Sequence, residues 1–187
     1  MPTDRALAAA EEFNRFAERT DAPSRCDPTL AFETPALTNA LALWQEKAVG
    51  REIPSRRDFS AHALKAHLPT VAIVDAVDEG GVRRYRFRLM GTAVADLLGD
   101  HTGKFVDEAV VSPFRERWAT MMGAALAAGA PLRFFGRVEY NNLNFLAMEL
   151  LFAPTRDGDG QSILIVTHAR SSGLHAFKPM AKDTLTA

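Results

Sequence analysis

The chain of 187 residues is long enough for one domain with an additional terminal segment. Hydrophobic residues make up 47% of it and charged residues 24%, as in an ordinary globular protein. Its 22 basic and 23 acidic residues give a formal net charge of −1, which argues against direct binding of nucleic acid or of an anionic membrane.

The sequence carries no pattern typical of export or of a membrane anchor. No apolar window approaches the roughly 20 residues that span a bilayer, and the acidic N-terminus lacks the pattern of a signal peptide. The single cysteine, Cys26, excludes an intrachain disulfide and a cysteine-based zinc site. A cytoplasmic location is therefore expected.

Residues 4–19 have the hydrophobic period of an amphipathic helix, with two phenylalanines on its apolar stripe. Leu7, Phe13 and Phe16 on this stripe need a surface to pack against. That surface is either the chain's own sheet or another subunit. The three residues are accordingly the candidate partner or dimer surface, and a homodimer is expected.

Residues 20–35 contain three prolines among polar residues and are predicted to form a linker. A helix is predicted over residues 35–49, because Thr34 and Pro35 are favoured at a helix cap and at the first helical position. A second, short helix is predicted over residues 60–67, just before the first strand.

The sheet is predicted to begin with a hairpin. Residues 71–74 are a short apolar run, residues 78–81 carry a turn signal, and residues 84–89 alternate between polar and apolar. The apolar members of the alternation should face the core: Tyr85, Phe87 and Leu89. The arginines should share the opposite face: Arg84, Arg86 and Arg88.

A longer helix, predicted over residues 113–128, and three strands complete the pattern. The strand patterns cover residues 132–140, 143–152 and 162–168. A hairpin turn is predicted at Asn141 and Asn142. Five antiparallel strands, split two and three around a helical insertion, predict an α+β fold with helices on one face of the sheet. The chain then divides into an N-terminal helix and linker (1–33), the α+β domain (34–170) and a flexible C-terminal tail (171–187).

Several short motifs resemble, in their order and spacing, those of a PAS domain. They are Leu43-Trp44, the run from Gly50 to Phe59, Leu68-Pro69, the run from Tyr85 to Thr92, and then Gly99 and Gly103. The likeness covers residues 36–169 and points to a small bacterial PAS family of nearly stand-alone chains. It implies a PAS-like five-stranded antiparallel sheet, a pocket between sheet and helices, and a role in sensing or protein contacts rather than in catalysis.

Large apolar and sulfur-containing side chains are the candidates for the wall of that pocket. They are Phe87, Leu89, Phe105, Trp118, Met121, Met122, Phe134 and Met148. The alternative is that the same side chains fill a closed core. A second candidate site is an anion-binding face formed by Arg84, Arg86, Arg88, Arg133 and Arg137. The alternative there is a face that is solvated or covered by a helix.

The sequence identifies no cofactor and no metal site. Haem-binding PAS domains commonly hold iron through a histidine on the helix before the third strand, and residues 113–128 contain none. Flavin photosensors need a cysteine beside the pocket, and Cys26 lies outside the resembling region. The histidines at positions 62, 67, 101, 168 and 175 are too scattered for a metal site, and no nucleophile motif occurs.

These observations favour a cytoplasmic, non-catalytic PAS-type module of signal transduction. It would act through contacts with a signalling protein in another chain, with or without a small apolar ligand in the pocket. The alternative is a small enzyme or ligand carrier of cone-shaped α+β fold. That alternative needs a polar dyad in its cavity, His101 with Asp96 or with Tyr140.

Overall fold

A computed structural model of the chain describes residues 1–112, 114–137 and 146–171. In this part of the chain the strands are β1 (Ser24–Asp27), β2 (Val71–Glu79), β3 (Val82–Met90), β4 (Leu132–Arg137), β5 (Leu146–Asp157) and β6 (Gly160–Ser171). The helices are α1 (Asp4–Arg19), α2 (Pro35–Lys47), α3 (Thr92–Leu98), α4 (Val106–Ala109) and α5 (Phe114–Ala128). The strands form one antiparallel sheet in the order β1-β4-β5-β6-β2-β3.

The α+β architecture is confirmed, but the sheet has a sixth strand that the sequence did not indicate. Ser24–Asp27, inside the predicted linker, pairs with β4 at one edge of the sheet. The side chain of Asn14 on α1 protects the outer edge of this strand. Its amide donates to the carbonyl oxygen of Cys26 (3.0 Å) and accepts from the backbone nitrogen of Cys26 (2.8 Å). A short edge strand covered in this way cannot recruit a further strand.

Helices cover both faces of the sheet, so the prediction of helices on one face is wrong. The central strands β5 and β6 carry apolar side chains on both sides, and each side needs a cover. On one face α1 and α5 pack over a core that includes Phe134, Phe152 and Ile165. On the other face α2 packs over a second core that includes Leu151 and Leu164.

A β-bulge in β3 changes which residues reach each core. Val74 of β2 lies opposite Phe87, whereas the preceding Ile73 lies opposite Leu89, so Arg88 is an extra residue. Phe87 therefore belongs to the core under α5, and Leu89 packs against the core under α2. The prediction that both share one face is wrong, because the bulge interrupts the period of two.

The N-terminal helix packs on its own domain. Thr3 caps α1 by accepting from the backbone nitrogen of Ala6 (3.2 Å). Phe13 is fully buried, and its ring meets the ring of Phe134 edge-on at 4.9 Å between centroids. Leu7 remains 37% exposed. Phe16 is half-buried beside the same core.

Some predicted features differ in detail or lie outside the described residues. Residues 61–67 form successive turns where a helix was predicted over residues 60–67, and a 3₁₀ turn, Leu68–Thr70, leads into β2. The predicted hairpin at Asn141 and Asn142 lies outside the described residues. So do Tyr140, His175 and the predicted tail apart from Ser171, which ends β6.

Candidate ligand-binding site

A cavity of about 50 Å³ lies between α5 and the sheet, which is room for a few water molecules. Both edge strands contribute to it, Ser24 from β1 and Phe87 from β3, so the sheet curves around the cavity. Its apolar wall consists of Phe87, Met90, Leu98, Val110, Phe114, Trp118, Met121, Phe135, Met148 and Leu150. The other described wall residues are Ser24, His101, Arg117, Gly136 and Arg137.

Four of the eight side chains predicted for the pocket line this cavity: Phe87, Trp118, Met121 and Met148. Their role in holding a ligand stays a prediction. They come from three separate elements, β3, α5 and β5, which meet only in the folded chain. The helical spacing of Trp118 and Met121 on α5 places both over the sheet.

The other four predicted pocket residues lie elsewhere. Met122 and Phe134 are fully buried in the core, where the Phe134 ring also meets the Phe152 ring at 4.9 Å. Leu89 faces the opposite side of the sheet because of the bulge. Phe105 lies under the guanidinium of Arg84, 3.8 Å from the ring centroid. Size and polarity alone do not separate a cavity wall from a core.

Among the wall residues that sequence reasoning missed, Arg117 carried a readable signal and Met90 did not. Arg117 lies three residues after Phe114 and four before Met121, so the helical period places it on the same stripe as these apolar side chains. Arg117 is 8% exposed despite its charge, and its guanidinium lies 5.3 Å from the ring centroid of Phe114. Met90 reaches the cavity only because of the bulge, which no pattern in the sequence indicated.

The imidazole of His101 is held firmly in the cavity wall. Its Nε2 lies 3.0 Å from the carbonyl oxygen of Leu98, and its backbone nitrogen donates to the sulfur of Met90 (3.3 Å). Its Nδ1 is buried and has no hydrogen-bond partner among the described residues. Asp96 is exposed, and no hydrogen bond joins it to His101. The His101–Asp96 dyad that an enzyme or carrier would need is therefore not formed.

The arginines of β3 are paired with carboxylates. Arg84 contacts the carboxylates of Glu79, Asp107 and Glu108 at 2.8–2.9 Å. These hydrogen bonds raise the pKa of Arg84 above its usual value. Arg88 donates to Asp75 (2.8 Å), and Arg86 lies 3.8 Å from the same carboxylate.

The prediction of one anion-binding face made by five arginines on adjacent strands is wrong. In the sheet order, β3 lies at one edge and β4 is second from the other edge, so three strands separate them. Arg137 lines the cavity, and Arg133 is 5% exposed. The arginines of β3 and those of β4 therefore do not form one face.

Arg133 belongs to a buried ionic cluster with Asp27 and Glu149. Its Nε donates to Glu149 (2.6 Å) and its Nη1 to Asp27 (3.0 Å). Glu149 also accepts from the backbone nitrogens of Glu33 and Thr34, both at 3.0 Å, at the start of α2. Burial raises the pKa of Glu149, but these donors outweigh it and hold the pKa below its usual value. The cluster therefore links β1 and the start of α2 to the neighbouring strands β4 and β5.

The strand order and the cavity define a class of protein. An antiparallel sheet that curves around a small apolar cavity, closed by the helices between β3 and β4, defines a small α+β domain with an internal pocket. The family model described as PAS domain matches residues 32–168, and the chain belongs to that family. The resemblance found in the sequence is thereby confirmed. PAS domains in general are sensory or regulatory modules, and they are typically not enzymes.

The match covers α2 to α5 and β2 to nearly the end of β6, whereas α1 and β1 lie before it. Comparisons with curated proteins and with solved structures gave no match. In the described ranges, no group of three His, Cys, Asp or Glu side chains is placed to hold a metal. No helix in the same ranges combines the length and the hydropathy that crossing a bilayer requires.

Proposed function

We propose that the protein is a non-catalytic regulatory module that binds a small, mainly apolar ligand in the cavity between α5 and the sheet. One observation carries the proposal. Phe87, Trp118, Met121 and Met148 come from three elements and converge on one opening. A ligand there contacts α5 and the sheet together, and methionine side chains adapt their shape to different ligands.

The arrangement of α1 supports a route from the cavity to a partner protein. Phe114 and Arg117 line the cavity and also a second crevice, beside Phe16 of α1 and residues 20–22, which follow that helix. A ligand that displaces the first turn of α5 therefore alters the packing of α1. The proposed output is contact with a signalling protein in another chain, or with a second copy, through the exposed side of α1.

Leu7 is the residue with which to test a homodimer, because it is the exposed member of the predicted surface. Light scattering coupled to size exclusion should give the mass of a dimer for the wild type and of a monomer for Leu7→Glu. Phe13 is fully buried in its own domain and is no part of this surface. A wild type that remains monomeric at high concentration would leave a different protein as the partner.

Tryptophan fluorescence tests ligand binding directly, since the two tryptophans lie on opposite faces of the sheet. Trp118 lines the cavity, whereas Trp44 is buried under α2, where its indole donates to the carbonyl oxygen of Pro154 (2.8 Å). Toluene is the probe. Its titration should change the emission of Trp44→Phe, which retains Trp118, in a saturable way, and should leave that of Trp118→Phe unchanged.

A variant that fills the cavity provides the second control. Val110 is half-buried in the cavity wall, and Val110→Phe places a ring where the probe should bind. In the Trp44→Phe background this variant should lose the toluene response while its thermal unfolding remains cooperative. The proposal is wrong if Trp118 gives no saturable response, or if Trp44 responds equally.

A further inference from the structure

We propose that His101 is the group that selects the ligand, and that its Nδ1 accepts a hydrogen bond from a small aromatic molecule carrying a hydroxyl or a ring N–H. This inference rests on the proposed function, because it concerns the same cavity. It goes further in naming the chemistry of the ligand and the residue that recognises it.

The hydrogen bond at the other ring nitrogen determines the tautomer of the neutral imidazole. The carbonyl oxygen of Leu98 can only accept, so Nε2 of His101 at 3.0 Å must carry the proton. In a neutral imidazole with its proton on Nε2, Nδ1 offers a lone pair. Nδ1 is therefore an acceptor.

Nδ1 is also the buried side-chain atom that lacks a hydrogen-bond partner in the described part of the chain. Buried polar atoms are nearly always satisfied, and an unpaired buried acceptor destabilises the folded state. The loop that carries His101 is nevertheless tightly fixed. Gly99 and Gly103 have φ of 90° and 85°, and the backbone nitrogen of Lys104 donates to the carbonyl oxygen of His101 (3.0 Å). A fixed, unpaired acceptor is suited to a ligand that brings a donor.

The remaining wall explains why the ligand should be aromatic with a donor. Arginine side chains only donate, so Arg117 and Arg137 cannot accept from a ligand donor. The hydroxyl of Ser24 can accept, but Ser24 lies on β1, at the other edge of the sheet from β3, whose Phe87 ring is 6.1 Å from the imidazole of His101. Sulfur atoms make favourable contacts with aromatic rings, and three methionines line the cavity. They are Met90, Met121 and Met148. A benzene-sized ring needs more room than about 50 Å³, so these flexible side chains must move when the ligand enters and open the cavity to Nδ1 of His101.

Phenol and toluene are a matched pair of probes, because a hydroxyl replaces a methyl group of similar size. Transfer from water into an apolar site favours toluene, since the hydroxyl loses its hydration. A preference for phenol therefore requires a polar partner in the site. We expect wild-type protein, titrated by calorimetry, to bind phenol at least about tenfold more tightly than toluene.

Two variants separate recognition by His101 from other causes. His101→Phe keeps a ring but removes the acceptor, and should bind toluene at least as tightly as phenol. His101→Gln keeps an acceptor oxygen and should retain part of the preference. Nitrogen NMR of the wild type gives an independent readout. The Nδ1 resonance of His101 should shift with phenol and not with toluene, and the exposed imidazole of His62 serves as the internal control.

The outcomes distinguish this inference from the proposed function. If toluene binds as tightly as phenol to the wild type, or if His101→Phe keeps the preference, recognition by His101 is wrong and the ligand cavity stands. If saturating phenol does not shift the Nδ1 resonance of His101, recognition by His101 is likewise wrong. If neither probe binds at all, the cavity itself does not take such ligands and both proposals are overturned.

Discussion

Replacing Arg133 by methionine should destabilise the protein strongly, because it leaves two buried carboxylates without their shared guanidinium. The side chains of Arg133, Asp27 and Glu149 are 6%, 3% and 1% exposed. Methionine matches the length of the arginine stem, so the change removes charge and hydrogen bonds more than volume. Breaking a buried ion pair by removing one partner costs about 3–5 kcal/mol in the free energy of unfolding.

The pH dependence of this loss follows from the two carboxylates. Burial alone would raise the pKa of Asp27 and of Glu149, yet the hydrogen bonds from their neighbours, Arg133 included, hold both below the usual values. A carboxyl group whose pKa is lowered by folding stabilises the fold at any pH above its pKa in the unfolded chain, which is about 4. That contribution is lost as the pH falls through the pKa of the group in the folded protein. Without Arg133, burial shifts both pKa values upward. The destabilisation should therefore be largest near neutral pH and shrink towards pH 4.

Urea unfolding, followed by circular dichroism at several pH values, measures this effect. Arg25→Met is the matched control, because Arg25 is exposed on β1 and, within the described ranges, its side chain donates only to the carbonyl oxygen of the adjacent Ser24 (2.9 Å). The control should change the free energy of unfolding by no more than about 0.5 kcal/mol. If Arg133→Met loses less than about 1 kcal/mol near neutral pH, or loses more at pH 4, the role assigned to the cluster is refuted.

Two further substitutions test how the elements are joined. Asn14→Ala removes both hydrogen bonds to Cys26, so it should lower the free energy of unfolding by about 1–3 kcal/mol and speed hydrogen exchange at the Cys26 amide. Asn39→Ala, on the exposed side of α2, is the neutral control. Unchanged exchange at the Cys26 amide would contradict this role of Asn14. Gly91→Ala would bring the new Cβ into the carbonyl oxygen of Leu68 and should lower the free energy of unfolding by about 1–3 kcal/mol. Gly123→Ala, within α5, should be neutral or raise it by up to about 1 kcal/mol. Thermal unfolding of both variants measures the difference. Equal effects of the two alanines would refute this account of Gly91.

Much of the fold could be predicted from the sequence, because the hydrophobic period of a long segment indicates whether it forms a helix or a strand. The stripe of α1 matches the observed helix, and the strand predicted over residues 132–140 matches β4 as far as Arg137, beyond which residues 138–140 lie outside the described residues. Strand β1 escaped prediction since four residues are too few for a period, and the hydrogen bonds that hold it come from β4 and Asn14, both distant in the sequence from β1. The apolar run of residues 163–166 fits a strand that is buried on both faces, but it does not show which helix covers which face.

The site was predictable only in part, for a physical reason. The helical period of α5 placed Trp118 and Met121 over the sheet correctly. The bulge at Arg88 moved Leu89 to the opposite face, and a bulge leaves no trace in the hydrophobic pattern. Whether Met122 closes the core or lines a cavity depends on how neighbouring side chains pack, which the residue type does not determine.

The central claim, that a small apolar ligand enters the cavity beside α5, is tested most directly by methyl NMR of methionine-labelled protein with toluene. Met90, Met121 and Met148 line the cavity, whereas Met122 is fully buried in the core away from its wall. Saturable shifts should occur at the first three methyl groups and not at Met122. Saturating toluene that moves none of the three, or moves Met122 as strongly, would contradict the claim.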